Sequence, residues 1–137
     1  MNEEARLALV ITRFLHTALP ADAVAFHVPN EGRRTVHEQS RFFAAGGKAG
    51  IPDRWILWRG SAYCWEEKAM KGRLNEAQQA MFPKLEAAGF PVPIIRSLGD
   101  AEACLLRWGI PLRASLALPA PARPRPRSRS DVGICTS

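Results

Sequence analysis

Cysteine is scarce in this chain. Cys64, Cys104 and Cys135 are odd in number and widely spaced over 137 residues. That pattern excludes a disulfide framework and a paired metal-ligand motif, and it points to a reducing, cytoplasmic setting. Long hydrophobic runs are missing too. No stretch approaches the roughly 18 apolar residues that a membrane span needs, so no membrane partner is expected. The opening MNEEARLALVITRFLHTAL puts acids first and has no basic leader; it reads as an amphipathic helix, not a signal peptide. The glycine-rich Gly46-Gly47-Lys48-Ala49-Gly50 lacks the Gly-Lys-Ser/Thr ending and helix of a nucleotide phosphate loop.

What is present fits one modest domain with a real core, with 47% hydrophobic residues. The net charge of +6 is unevenly spread. Residues 1–32 balance at −2, 33–73 at +5, 74–111 at −1 and 112–137 at +4. Positive charge gathered in the middle and at the end is the footprint of a phosphate-backbone binder, or simply of solubility.

Apolar residues at Leu7, Val10, Ile11, Phe14, Leu15 and Ala18 predict a helix over Glu3 to Leu19. Ala23 to Val28 predicts a strand, Pro29 to Gly32 a turn, and Thr35 to Ala45 a helix. A hairpin follows, with arms Arg54–Trp58 and Ala62–Lys68 around Gly60-Ser61. Asn75 and Gly89 bracket a helix running to Ala88. Val92 to Arg96 predicts a strand, and Asp100 is the expected cap of a last helix through Trp108. Beyond it, residues 112–137 are rich in Pro, Arg and Ser, and their composition predicts disorder.

The hairpin carries the chemistry. Side chains alternate along a strand, so Cys64, Glu66 and Lys68 share one face and Tyr63, Trp65 and Glu67 the other. A turn centred on Gly60-Ser61 sets Asp53 opposite Lys68. The Asp53 and Glu66 carboxylates with the Glu67 backbone carbonyl make a hard oxygen set of the kind Mg²⁺ takes. Lys68 beside them could orient or deprotonate a water, or stabilise developing charge, in phosphodiester hydrolysis. The same residues also fit a surface ion pair of little worth. His27 reads as a core or rim histidine. Trp55, Trp58 and Trp65 read as sheet packing, with base stacking as the other use. Arg33, Arg34, Lys48, Lys71 and Arg73 flank the hairpin as candidate phosphate contacts.

A longer series of residues sharpens this. It runs His27-Val28-Pro29-Asn30, Gly32, Arg34, Glu38, Gly46, then Lys48-Ala49-Gly50-Ile51-Pro52-Asp53, Glu66-Glu67-Lys68, Gly72-Arg73-Leu74 and Gln78. In order and spacing it resembles the VRR-NUC family of virus-type replication-repair nucleases, a branch of the PD-(D/E)xK superfamily, in the short stand-alone form common in phages and prophages. The resemblance extends over roughly residues 3–110. It implies an α/β, restriction-endonuclease-like fold over residues 1–111, with a central mixed β-sheet flanked by α-helices.

The resemblance further implies Asp53 and Glu66 as ligands of Mg²⁺ (or Mn²⁺), Lys68 as the catalytic lysine and Gln78 near the site. An acidic residue of the first helix completes the set, Glu4 or its neighbour Glu3. Glu38 matches a second-helix position, either helping to place Arg34 or the metal or standing as a plain surface residue. The implied activity is endonucleolytic cleavage of branched or structured DNA by a homodimer. Glu31, Phe42 and Asn75 depart from the pattern, Phe42 standing where the family has a leucine-like residue. A non-catalytic DNA-binding module on the same fold, and a basic adaptor for acidic protein partners, are the competing readings.

Overall fold

The computed structural model describes residues 1–29 and 34–116. Asn30, Glu31, Gly32, Arg33, Cys135 and the chain from 117 on lie outside the described residues. The elements are α1 (Glu3–Ala18), β1 (Val24–His27), α2 (Val36–Ala44), β2 (Arg54–Trp58), β3 (Ser61–Glu67), α3 (Glu76–Ala87), β4 (Ile94–Ile95) and α4 (Leu98–Arg107). The four strands form one mixed sheet in sequence order. β1, β2 and β3 are antiparallel neighbours, and β4 joins β3 in parallel. The fold is therefore mixed α/β.

Local chemistry accounts for the element ends. Asn2 caps α1 by accepting from Ala5 N–H at 2.8 Å. Asn75 caps α3 as expected, and Gly89 follows that helix with a positive φ of 96°. The cap of α4 is Ser97 rather than Asp100. The shorter Ser97 hydroxyl stands at the cap position and accepts from the Asp100 N–H, while the Asp100 carboxylate, three residues on, accepts from Arg96 N–H.

The hairpin turn also differs from expectation. Trp58 pairs with Ser61, so the loop residues are Arg59 and Gly60, both at positive φ (46° and 78°). Two successive residues of that kind give the tight turn whose twist suits a hairpin. Shifting the turn by one residue moves the register by two. Arg54 pairs with Trp65, and Asp53 therefore comes beside Glu66, not Lys68.

The core lies on one face of the sheet. Ile56, Trp65 and Ile95 pack there against Ile11, Phe14, Leu15 and Ala18 of α1 and Ala101, Cys104 and Leu105 of α4. Tyr63 and Trp65 both stack on Trp108, at 4.8 and 5.6 Å between ring centres. The other face carries Trp55, set against Phe90, together with Cys64 and Glu66. β1 is an exposed edge strand. Residues 112–116, assigned to the tail by composition, instead continue onto the core. Leu112 and Ala114 pack against it, and Arg113 N–H donates to the Ala18 carbonyl at 2.7 Å. Among the described residues no helix is long and apolar enough to cross a membrane.

Candidate active site

The site forms where the open end of the hairpin meets the first turn of α3. Gly50 makes that approach possible. Its φ is +78°, and a Cβ there would stand 2.4 Å from the Ala77 carbonyl oxygen. The chain then passes through buried Pro52 to Asp53. Asp53 is fastened from both sides of the ladder. Its N–H donates to Glu66 Oε2 at 3.0 Å, and its Oδ2 accepts from Glu67 N–H at 3.3 Å.

Glu66 is 2% exposed, and the polar groups around it are specific. Gln78 Nε2 donates to Glu66 Oε1 at 2.7 Å, and Lys68 Nζ stands 3.6 Å from the same oxygen. Gln78 Oε1 in turn accepts from Asn75 N–H at 3.1 Å, so one amide both closes the α3 capping box and holds the carboxylate. Asp53, Glu66, Lys68 and Gln78 line one cavity of about 220 Å³ with Arg34 and Phe43.

Burial pushes the Glu66 carboxyl up to about 8, and the neighbouring Asp53 charge adds to the effect. Asp53 is also raised, chiefly by burial. Two buried carboxyls in contact cannot both ionise easily, and Lys68 offsets only part of the repulsion. Such a pair either retains a proton or takes a cation. Pairing of β2 with β3 stops at Arg54–Trp65, so the Glu67 carbonyl runs past the end of β2. Among the described residues no group of three or more His, Cys, Asp or Glu side chains forms a metal cage. A cation here would rest on Asp53, Glu66 and backbone oxygen, with water completing its shell, which suits Mg²⁺.

The other expected residues divide. Glu4 Oε1 lies 4.0 Å from Lys68 Nζ and accepts from Ala69 N–H at 3.4 Å, while Glu3 Oε1 accepts from Met70 N–H at 3.2 Å. Both acids of α1 thus brace the chain just after Lys68. Glu4 also lines a second cavity with His27, Asp53 and Glu67, which places exposed His27 at the rim. Glu38 is an exposed surface residue, and among the described residues it makes no ion pair with Arg34. Its carboxylate accepts from Thr35 N–H at 2.9 Å and caps α2. Lys48, Lys71 and Arg73 are exposed and lie off the Asp53–Glu66 cavity, whereas Arg34 lines it. Arg33 lies outside the described residues.

Two arginines escaped the sequence reading. Arg54 forms a buried two-pronged pair with Glu67, at 2.8 and 2.9 Å, and reaches Thr12 Oγ1 and the Ala8 carbonyl on α1. Trp65 Nε1 donates to the same Glu67 carboxylate at 2.7 Å. The pair sits on the core face, directly behind Asp53 and Glu66 in the chain. Strand alternation was the available signal, since it sets Arg54, Trp65 and Glu67 on one side. Arg96 Nη1 donates to the Gly72 carbonyl at 2.8 Å and to those of Ala69 and Met70, clamping the loop after Lys68. Nothing local in the sequence marks that role.

Compared with known proteins, the chain matches no family model, no curated protein and no solved structure.

Proposed function

We propose that this chain is a metal-dependent nuclease of the VRR-NUC type that hydrolyses phosphodiester bonds of DNA, its sheet and helices being a restriction-endonuclease-like fold. One observation carries the reading. Two buried carboxylates from opposite arms of a hairpin meet in a cavity, with a lysine 3.6 Å from one of them. Burying two acids without a cation is costly, and a purely structural role would be better served by apolar side chains.

Asp53, Glu66 and the Glu67 carbonyl would hold Mg²⁺ or Mn²⁺, with Glu4 Oε1 4.0 Å from Lys68 Nζ. A divalent ion held there would supply a more acidic water and offset charge on the phosphoryl oxygens. Lys68 Nζ, held by Glu66 and Glu4, orients the attacking water and donates to the phosphate as negative charge builds. Gln78 fixes the Glu66 carboxylate in one orientation. Arg34 lies at the cavity to meet a phosphate oxygen. The balance of +5 over residues 33–73 supports a polyanionic substrate. Branched or structured DNA as the substrate, and a homodimer as the working form, follow from the family resemblance.

The test is cleavage of labelled DNA by the purified protein. Single strand, duplex, flap and four-way junction are each incubated with Mg²⁺, Mn²⁺ or EDTA. Cutting that requires the metal supports the reading, and the panel names the substrate. Binding without cutting in every arm would favour the non-catalytic DNA-binding module.

A further inference from the structure

Arg34 is held in an unusual way. Its guanidinium carbon lies 3.9 Å above the centre of the Phe42 ring. The ring's position is fixed in turn by Gly47: a Cβ on Gly47 would stand 2.5 Å from the ring carbons, and Gly47 N–H donates to the Phe42 carbonyl at 2.8 Å. Phe43 braces Phe42 edge-on at 5.3 Å. The result is a stack of glycine backbone, aromatic ring and guanidinium beside the Asp53–Glu66 cavity.

The charge arrangement makes the stack more than packing. Arg34 shares that cavity with two carboxylates, yet among the described residues no acid pairs with it; Lys68 is the cation that reaches Glu66. An arginine free to fold inward would be drawn to the carboxylates. Contact with the ring face holds the cation while leaving its N–H groups free, because the ring engages the flat side of the guanidinium and not its edge.

We infer that Phe42 is a positioning residue, which holds Arg34 off the carboxylates and presents its N–H fork to a phosphate of the bound DNA strand. The inference rests on the nuclease reading and adds a residue to it. A leucine at position 42 fills similar space but offers no ring face, so it would release Arg34.

The test uses the full chain as wild type, Phe42→Leu, Phe42→Tyr, Arg34→Gln and the double variant Phe42→Leu/Arg34→Gln. Without DNA, the Arg34 Nε–Hε NMR signal is expected in wild type and Phe42→Tyr and broadened away in Phe42→Leu. DNA affinity is then measured with Ca²⁺ in place of Mg²⁺ across a salt series. Phe42→Leu is expected to weaken binding about three-fold, and Phe42→Tyr to bind like wild type. Arg34→Gln is expected to lower the slope of log affinity against log salt by about 0.7–0.9. The double variant should bind no more weakly than Arg34→Gln alone. Additive losses, or an unchanged Arg34 signal in Phe42→Leu, overturn the inference and leave the nuclease reading standing. Failure of wild type to bind any DNA overturns both.

Discussion

Gln78 donates to Glu66 at 2.7 Å, from the first turn of one helix to the most buried carboxylate of the site. The same side chain accepts from Asn75 N–H, so capping the helix and orienting the acid are one act. Gln78→Leu removes both bonds and leaves Glu66 short of a donor. A stability loss of about 1–3 kcal/mol is expected in urea denaturation. Cleavage activity, or Mg²⁺ affinity, should fall about 10- to 100-fold. An unchanged metal dependence in a folded Gln78→Leu protein would remove Gln78 from the site.

The Arg54–Glu67 pair is expected to be worth most when only half of it is removed. Arg54→Met leaves the Glu67 carboxylate buried and uncompensated, at a cost of about 3–5 kcal/mol. Adding Glu67→Gln removes the stranded charge and keeps an acceptor for Trp65 Nε1, so the double variant should recover most of the loss. A double-mutant cycle on urea midpoints measures this. Additive losses would show that the pair is not a unit.

Much of this was readable in the sequence, for local reasons. The helix caps at Asn75 and Gly89 and the hairpin arms are set by residues close to them in the chain. So is the shared face of Glu66 and Lys68, which alternation alone fixes. The register was misread because Arg59 is not a usual left-handed residue, and its place in the turn depends on the strands it joins. Asp53 therefore lies beside Glu66 rather than Lys68. Arg54 and Arg96 were missed because their partners are set by three-dimensional geometry. The Thr35 cap was within reach of a motif reading, since Glu38 follows Thr35 by three residues.

Stability of the metal-free protein should fall as pH rises through the Glu66 titration. Burial and Asp53 push that group from 4.5 up to about 8. Between those values the folded state holds more protons than the unfolded chain, so unfolding is favoured as pH increases. The contribution is complete below the unfolded value and lost as pH passes the folded one. Saturating Mg²⁺ replaces the proton and should flatten the slope, and Glu66→Gln should flatten it without metal. Thermal midpoints across that range, with and without Mg²⁺, check both arms.

Gly50→Ala should be strongly destabilising for its size. The added Cβ meets the Ala77 carbonyl, and the positive φ of 78° is strained for any L side chain. The expected loss exceeds the roughly 1 kcal/mol that the same replacement can gain at a position with ordinary backbone angles. It should also weaken metal binding, since this approach seats Asp53 near α3. Calorimetric titration with Mn²⁺ beside a melting curve separates the two effects.

The most direct measurement of the central claim is single-turnover cleavage by wild type and Lys68→Ala, on the best substrate of the DNA panel, with Mg²⁺ in excess. DNA affinity in Ca²⁺ is measured alongside. The account predicts metal-dependent cutting by wild type and a loss of at least two orders of magnitude in Lys68→Ala, with DNA affinity nearly kept. Equal cutting by both proteins would contradict the assignment of this hairpin as the catalytic centre.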